Sequence, residues 1–425
     1  MKKYLFVILT VCLIFPGFII GQDAKTVLKN TQKELKSLLK DIPGNKEAIK
    51  KVLSSLETDF KNPDKPDMWT EKGDIYLNIT EEEEKFALLN PMYKIVFPDA
   101  PFKAKEAYMR ALDAGAKDKP ALKGLENAMT TISFMGSTFF DEKNYPAAFM
   151  TFDETIKIHE FIESKGGQTL YSDPEAMQLQ KFYTIVSAVY GGHTQNAMRY
   201  IEELYKAQYD HYFIYDTYFQ LLKETDEDKA VKVLREGREK FPEESALLYA
   251  EINYYLSKGN LEEPIGRLIE AIEKEPENIS LYTTLGSVYD QLSQQFRQAG
   301  DINKSDEYFN EAYKYFSQAK EVDGNSYEAY YSLGALHYNK AASMTDEINK
   351  LAEDYSREGT KKYETIKKMM DELFDTALPY FLQSHTLNPK DLNSMIALRE
   401  IYARNNNYDK VEEMKTKIEA AQQDQ

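Results

Sequence analysis

Beyond residue 22, apolar side chains return every three or four positions and rarely alternate in twos, so the chain reads as one helix after another. No strand-length apolar run is bounded by hairpin-turn residues. Prolines punctuate these helices at a fixed distance. Phe241-Pro242 closes one segment and Glu275-Pro276 closes the next, 34 residues later. Between them stand Leu248, Tyr255, Leu268 and Ala271. The following interval carries Tyr282, Leu285, Gly286 and Tyr289, and a later one Tyr330, Leu333, Gly334 and His337. Earlier, Trp69, Gly73 and Tyr76 hold the same offsets.

Each of these segments is followed by a second pattern. It recurs as Ala104-x3-Tyr108-x2-Ala111, Ala148-x3-Phe152-x2-Thr155, Ala230-x3-Leu234-x2-Gly237, Ala312-x3-Phe316-x2-Ala319 and Ala377-x3-Phe381-x2-Ser384, the last followed by Pro389. The spacing has a physical reason: small residues sit where two helices approach most closely, and large ones fill the gap beside them. Together the two halves resemble the tetratricopeptide repeat (TPR), a unit of two antiparallel helices in 34 residues with a W-x2-L-G-x2-Y…A-x3-F…P pattern. The resemblance covers most of the chain. It implies an all-α, right-handed superhelical solenoid of about eight TPR-like hairpins. Three departures stand out: Lys72 takes a position that is usually Leu, Pro264 one that is usually small, and the unit of Tyr190 and Ala197, from Pro174 to Tyr209, is two residues short.

The gap between the two halves is nine residues in a regular unit, as from Phe139 to Ala148, but 23 from Tyr289 to Ala312 and 40 from His337 to Ala377. These extras keep a helical stripe. Met344, Ile348, Leu351 and Tyr355 run out towards Gly359, and Tyr363, Ile366, Met370 and Leu373 come back to Ala377. The pattern predicts two adjacent lengthened hairpins, the second an arm (residues 338–376) projecting ~20 Å. Gly300 is the expected turn of the first. A third irregularity lies in residues 77–103. There the acidic run Glu81 to Glu84 reads as a solvated helix start, followed by a proline-interrupted apolar loop folded over the end of the solenoid. The expected division is a signal peptide at 1–21, N-terminal helices and a partial repeat at 22–62, TPR units at 63–290, extended hairpins at 291–390 and C-terminal caps at 391–425.

The N-terminus changes the setting. Lys2 and Lys3 precede an apolar run from Tyr4 to Ile20 and a polar start at Gly21-Gln22-Asp23, the layout of a secretory signal peptide. Cleavage after Gly21 is the expectation, with an uncleaved anchor as the alternative. Lipidation at Cys12 is disfavoured because Val11 precedes the cysteine where a small residue belongs. The protein is thus expected in the periplasm or cell envelope, as a monomer with a polar terminal cap. With 53 Lys+Arg against 70 Asp+Glu its net charge is −17, which argues against nucleic acid and anionic membrane and favours neutral or basic partners.

Catalytic and metal signatures do not emerge. His159, His193, His211, His337 and His385 show no metal-ligand spacing, and there is no phosphate loop or nucleophile elbow. No enzyme activity and no cofactor are expected. The TPR resemblance implies instead a concave groove lined by first helices. Its matching positions are Tyr212, Asp216 and Phe219, then Tyr249 and Asn253, then Thr283 and Ser287, then Tyr331 and Tyr338. Tyrosine supplies rigid contact area with a hydrogen-bonding tip, although any one of these could equally pack between neighbouring helices. The expected function is a scaffold for a protein or peptide partner. A glycan or small ligand stacked on the tyrosines is the alternative.

Overall fold

A computed structural model describes residues 23–61, 63, 65–90 and 92–423. The expected signal peptide and Cys12 lie outside these residues. Among the described residues there is no strand, and no helix is long and apolar enough to cross a membrane. The chain divides into two compact units between Asp226 and Glu227.

The first unit contains α1 (Ala24–Leu38), α2 (Ile42–Asp59), α3 (Asp67–Leu89), α4 (Ala100–Asp113), α5 (Asp118–Asp141), α6 (Tyr145–Ser164), α7 (Pro174–Tyr190), α8 (Met198–Lys206) and α9 (Tyr212–Leu222). The second contains α10 (Glu227–Lys240), α11 (Ser245–Ser257), α12 (Glu263–Lys274), α13 (Ile279–Gln298), α14 (Ile302–Val322), α15 (Tyr327–Ala342), α16 (Thr345–Leu351), α17 (Arg357–Leu387), α18 (Leu392–Arg404) and α19 (Tyr408–Gln423). Both are stacks of TPR-like helical hairpins, in which consecutive helices pair through short turns.

What closes several of these hairpins is a glycine on the first helix against an aromatic ring on the second. A Cβ at Gly286 of α13 would stand 2.5 Å from the Phe316 ring of α14, and one at Gly136 of α5 2.5 Å from Phe152 of α6. Gly334 meets Phe381 in the same way, and the Tyr108 ring is held between Gly73 and Gly124. The alanines of the second pattern, Ala104, Ala148, Ala230, Ala312 and Ala377, are fully buried. Sequence-local signals set the helix ends. Asp23, Asp301, Ser326 and Asp391 each accept a backbone N–H three residues on, and Gly300 turns α13 into α14 at φ 84°.

Two departures from the repeat pattern now have reasons. Lys72 is buried because its ammonium lies 2.9 Å from Glu57 and over the Phe60 and Trp69 rings, which replaces the missing leucine by a paired charge. Pro264 is the second residue of α12, where the lost N–H has no intrahelical partner anyway. In the short unit a 3₁₀ turn, Thr194–Ala197, precedes a second helix of only nine residues.

Other expectations are corrected. Glu81 to Glu84 do not start a helix: α3 runs through them to Leu89. Glu83 is buried and accepts the Tyr93 hydroxyl at 2.9 Å together with the backbone N–H groups of Val96 and Phe97, so it anchors the loop that follows. The loop buries Phe97 and packs Val96 on the core beside Phe86 of α3, but Met92 and the last α3 residues Leu88 and Leu89 stand in solvent. The outward limb of the last long hairpin is not one helix either. It breaks after Ala342, resumes as the short α16, and reverses before Gly359, which sits in the first turn of the 31-residue α17. Met344, buried at the break, and the Ser356 hydroxyl capping the Gly359 N–H account for both changes of direction. The two long hairpins do pack together, through Arg297 with Glu347, Lys340 with Asp306, and Asn339 with Asp290.

Glycine replacements in two surroundings test the closure mechanism. Gly286→Ala forces the Phe316 ring away and should destabilise by about 1–3 kcal/mol. Gly266→Ala, in the exposed interior of α12 with nothing within 4 Å of the new methyl group, should stabilise by roughly 0.5–1 kcal/mol. Urea unfolding midpoints of the two variants are expected to move in opposite directions.

Candidate interaction surfaces

The first-helix positions singled out by the repeat do not share one environment. On α9, Tyr212 and Asp216 are half-buried while Phe219 is buried in the core and lines no surface. Asp216 accepts one hydrogen bond, from the Gln220 amide at 3.3 Å. Burial raises its carboxyl above the ordinary range, against the opposing pull of Gln220 and Lys223. On α11, Asn253 is exposed and Tyr249 half-buried. The Tyr249 hydroxyl donates to Glu275 at 2.6 Å, and Asn278 donates to both. On α13, Thr283 is half-buried with its hydroxyl on the Ser280 carbonyl, and Ser287 is exposed.

Tyr331 and Tyr338 of α15 are drawn into packing. The Tyr331 ring lies 5.6 Å from Phe381, and the Tyr338 ring 5.2 Å from Phe374 with its hydroxyl on Glu400. Of the nine positions, then, Asn253 and Ser287 face solvent, and Tyr212, Asp216, Tyr249 and Thr283 are half-exposed.

Sequence reasoning missed how many tyrosines are tied down by acids. Tyr108 donates to Asp74 at 2.7 Å, Tyr200 to Asp153 at 2.6 Å and Tyr218 to Glu202 at 2.8 Å, while Tyr76 donates to Glu57 and Tyr254 to Glu227. Burial first, and the carboxylate second, push the Tyr249, Tyr254 and Tyr338 hydroxyls up to about 12. These pairs lie 16 to 62 residues apart, so no local pattern announces them. Their abundance does have a compositional signal, 31 tyrosines beside 70 acids.

His337 is a different case. It occupies the repeat position that Tyr289 and Tyr76 fill elsewhere, and both its ring nitrogens are buried without a hydrogen-bond partner in the protein. The rings of Phe309, Tyr313 and Tyr380 surround it at 5.4, 5.9 and 6.1 Å. Burial first, and the nearby Lys340 charge second, lower its pKa to about 4. Among the described residues no group of three His, Cys, Asp or Glu could hold a metal ion.

With the hairpins and their surfaces in view, the chain can be placed. It belongs to the FAT domain family, a family of TPR-like helical repeats that matches residues 156–399, more than half of its length. Several solved structures are similar to it at low identity. The C-terminal part of a TPR repeat-containing protein from Cytophaga hutchinsonii is 15% identical with a TM-score of 0.43, over 68% of this chain and 91% of that one. YrrB, a TPR protein with an unusual peptide-binding site, is 19% identical with a TM-score of 0.32, over 53% of this chain and 93% of that one. The human IFIT1 dimer with m7Gppp-AAAA is 15% identical with a TM-score of 0.31, over 94% of each chain. No curated protein matches the chain.

The slot around His337 makes stability depend on pH. The folded chain keeps the ring neutral down to about pH 4, whereas an unfolded histidine takes up its proton near the ordinary 6.5. Stability is therefore complete above pH 6.5 and falls between 6.5 and 4, by at most about 3 kcal/mol before solvent screening. His159 and His385, also lowered chiefly by burial, add to the same trend. In His337→Phe the urea midpoint should fall less steeply over this range than in the wild type.

Proposed function

We propose that this chain is a non-enzymatic TPR-type scaffold of the bacterial cell envelope, which holds a protein or peptide segment on its first-helix surface. The observation that carries the reading is a repeated one. Tyr249 and Asn253 of α11 recur 34 residues later as Thr283 and Ser287 of α13, and all four keep hydrogen-bonding atoms at or near the surface. A row of polar and aromatic groups at the repeat spacing suits an extended or helical chain that runs across successive hairpins. Family membership supports a repeat scaffold. The charge of −17 supports a neutral or basic partner and speaks against nucleic acid. The envelope setting rests on the Lys2-Lys3 and apolar pattern of residues 1–21, with cleavage leaving a soluble chain and retention leaving an anchored one. Tyr249, Asn253, Thr283 and Ser287 of the second unit are the residues proposed to touch the partner, with Tyr212 and Asp216 a separate candidate surface of the first unit, in a monomeric protein without a cofactor.

A glycan is the second reading, favoured by partly exposed tyrosine rings, on which sugars stack. Two experiments separate the alternatives. Co-purification from envelope extracts should recover a protein partner with the wild type. Asn253→Arg/Ser287→Arg, which places two large cations on the row without touching the core, should weaken that capture about tenfold or more with an unchanged circular dichroism spectrum. Recovery of no protein by the wild type, combined with an oligosaccharide titration that releases heat, would transfer the proposal to sugars.

A further inference from the structure

The first unit carries an aromatic surface to which the repeat pattern contributes Tyr183 and Tyr190 alone, at the offsets of Trp69 and Tyr76. Six rings from four helices touch in a closed circuit. Phe140 of α5 lies 5.6 Å from Tyr145 of α6, Tyr145 lies 5.2 Å from Tyr190 of α7, and Tyr190 lies 6.3 Å from Phe213 of α9. Phe213 then lies 6.3 Å from Phe182, Phe182 lies 6.0 Å from Tyr183, and Tyr183 lies 5.4 Å from Phe140 again. Tyr190 is 63% and Tyr183 40% exposed, and the other four rings are half-buried. Tyr212 and Asp216, the candidate surface of this unit, lie on α9 with Phe213.

Three features coincide at this wall. The hydroxyls of Tyr145, Tyr183 and Tyr190 have no hydrogen-bond partner among the described residues, whereas the structural tyrosines donate to carboxylates. No lysine or arginine of the described chain covers any of the six ring faces, although Trp69, Tyr200, Phe309, Phe374 and others each carry one. Finally, the bordering carboxylates are unpaired. Asp141 and Glu142 stand in the turn between Phe140 and Tyr145, and Asp216 stands one helical turn beyond Phe213. None of the three lies within ion-pair distance of a cation among the described residues. Lys143 in the same turn and Lys223 beyond Asp216 reduce the negative charge without pairing, and Lys181 beside Phe182 is occupied by Glu203 at 2.6 Å.

Aromatic faces without a cation and carboxylates without an ion-pair partner lack the same kind of group, and the tyrosine hydroxyls beside them are left to donate to a backbone carbonyl. We infer that this wall is the recognition site for an arginine-bearing extended peptide, whose guanidinium groups stack on the rings of Tyr183 and Tyr190 and pair with the bordering carboxylates. The inference rests on the scaffold reading and names the class of its partner. Arginine suits the wall better than lysine because its planar, weakly hydrated guanidinium stacks on a ring and pairs with a carboxylate at the same time. The free tyrosine hydroxyls then serve the peptide carbonyls. A cation brought beside Asp216 opposes, by its charge, the upward shift that burial gives the carboxyl.

Fluorescence anisotropy with the purified protein tests this, using fluorescein-labelled twelve-residue peptides in which arginine alternates with serine, and the same peptides with citrulline or lysine in place of arginine. The arginine peptide should bind, the lysine peptide several-fold more weakly, and the neutral, isosteric citrulline peptide at least about tenfold more weakly. Tyr183→Ala/Tyr190→Ala should lower affinity for the arginine peptide about tenfold, and Tyr183→Phe/Tyr190→Phe should retain most of it. Asp141→Asn/Glu142→Gln changes two exposed side chains at the end of α5 and leaves the core untouched, so its weakening of the same peptide, with a reduced salt dependence and an unchanged circular dichroism spectrum, is the independent check. Equal binding of arginine and citrulline peptides, no binding of the arginine peptide, or an affinity untouched by these substitutions would overturn the inference. If capture of a protein partner, sensitive to Asn253→Arg/Ser287→Arg, survives that result, the scaffold reading stands without it. If that capture is also absent, both fall.

Discussion

The closest approach of paired helices governs this protein. Where Gly286 faces Phe316, or Gly73 and Gly124 enclose Tyr108, the ring occupies the volume that a side chain on the first helix would need. A hairpin can then bring its helices together only if one partner is glycine or alanine and the other fills the gap. The rest follows from that contact. It sets the 34-residue period, it decides which face of each first helix turns inward, and it therefore decides which residues are left for a partner.

Given such hairpins, the protein treats its tyrosines in two ways. One set spans a hairpin or reaches the next one, and a carboxylate holds the hydroxyl, as with Tyr108 and Asp74 or Tyr249 and Glu275. The hydroxyl of each of these tyrosines is thereby satisfied, while an acidic chain uses some of its surplus carboxylates internally. A smaller set, at the junction of α5, α6, α7 and α9, keeps its rings together and its hydroxyls unclaimed. The same residue type thus serves cohesion in one place and recognition in another, and its hydrogen-bond partner separates the two.

The lengthened hairpins show how the repeat absorbs extra chain. Between α13 and α14 the added turns continue both helices and reverse at Gly300, where a left-handed φ suits glycine. Between α15 and α17 the addition is asymmetric, a broken outward limb against one long return helix. Met344 points into the core at the break and Ile348 packs on the same cluster, whereas Tyr355 at the end of the stripe is exposed and the helix that would carry it is interrupted. Periodicity reports which residues would share a helix face. It does not report whether the backbone between them is continuous.

The sequence by itself determined the fold class, the repeat and its departures, because Leu285-Gly286 with Tyr289, or Ala377 with Phe381, are constraints within one helix and leave a fixed spacing. It also identified the first-helix positions, since these follow from the register. It could not say which of them are open: Phe219 turned into the core, and Tyr331 and Tyr338 packed on α17 and α18, because their exposure depends on neighbours far along the chain. Only the tertiary structure decided that Glu83 anchors a loop instead of starting a helix, that His337 sits unpartnered among rings, and that Phe140, Tyr190 and Phe213 meet. Each of these is a contact between segments whose separation carries no period. A contact of that kind leaves no mark on the local pattern of hydrophobic and polar residues.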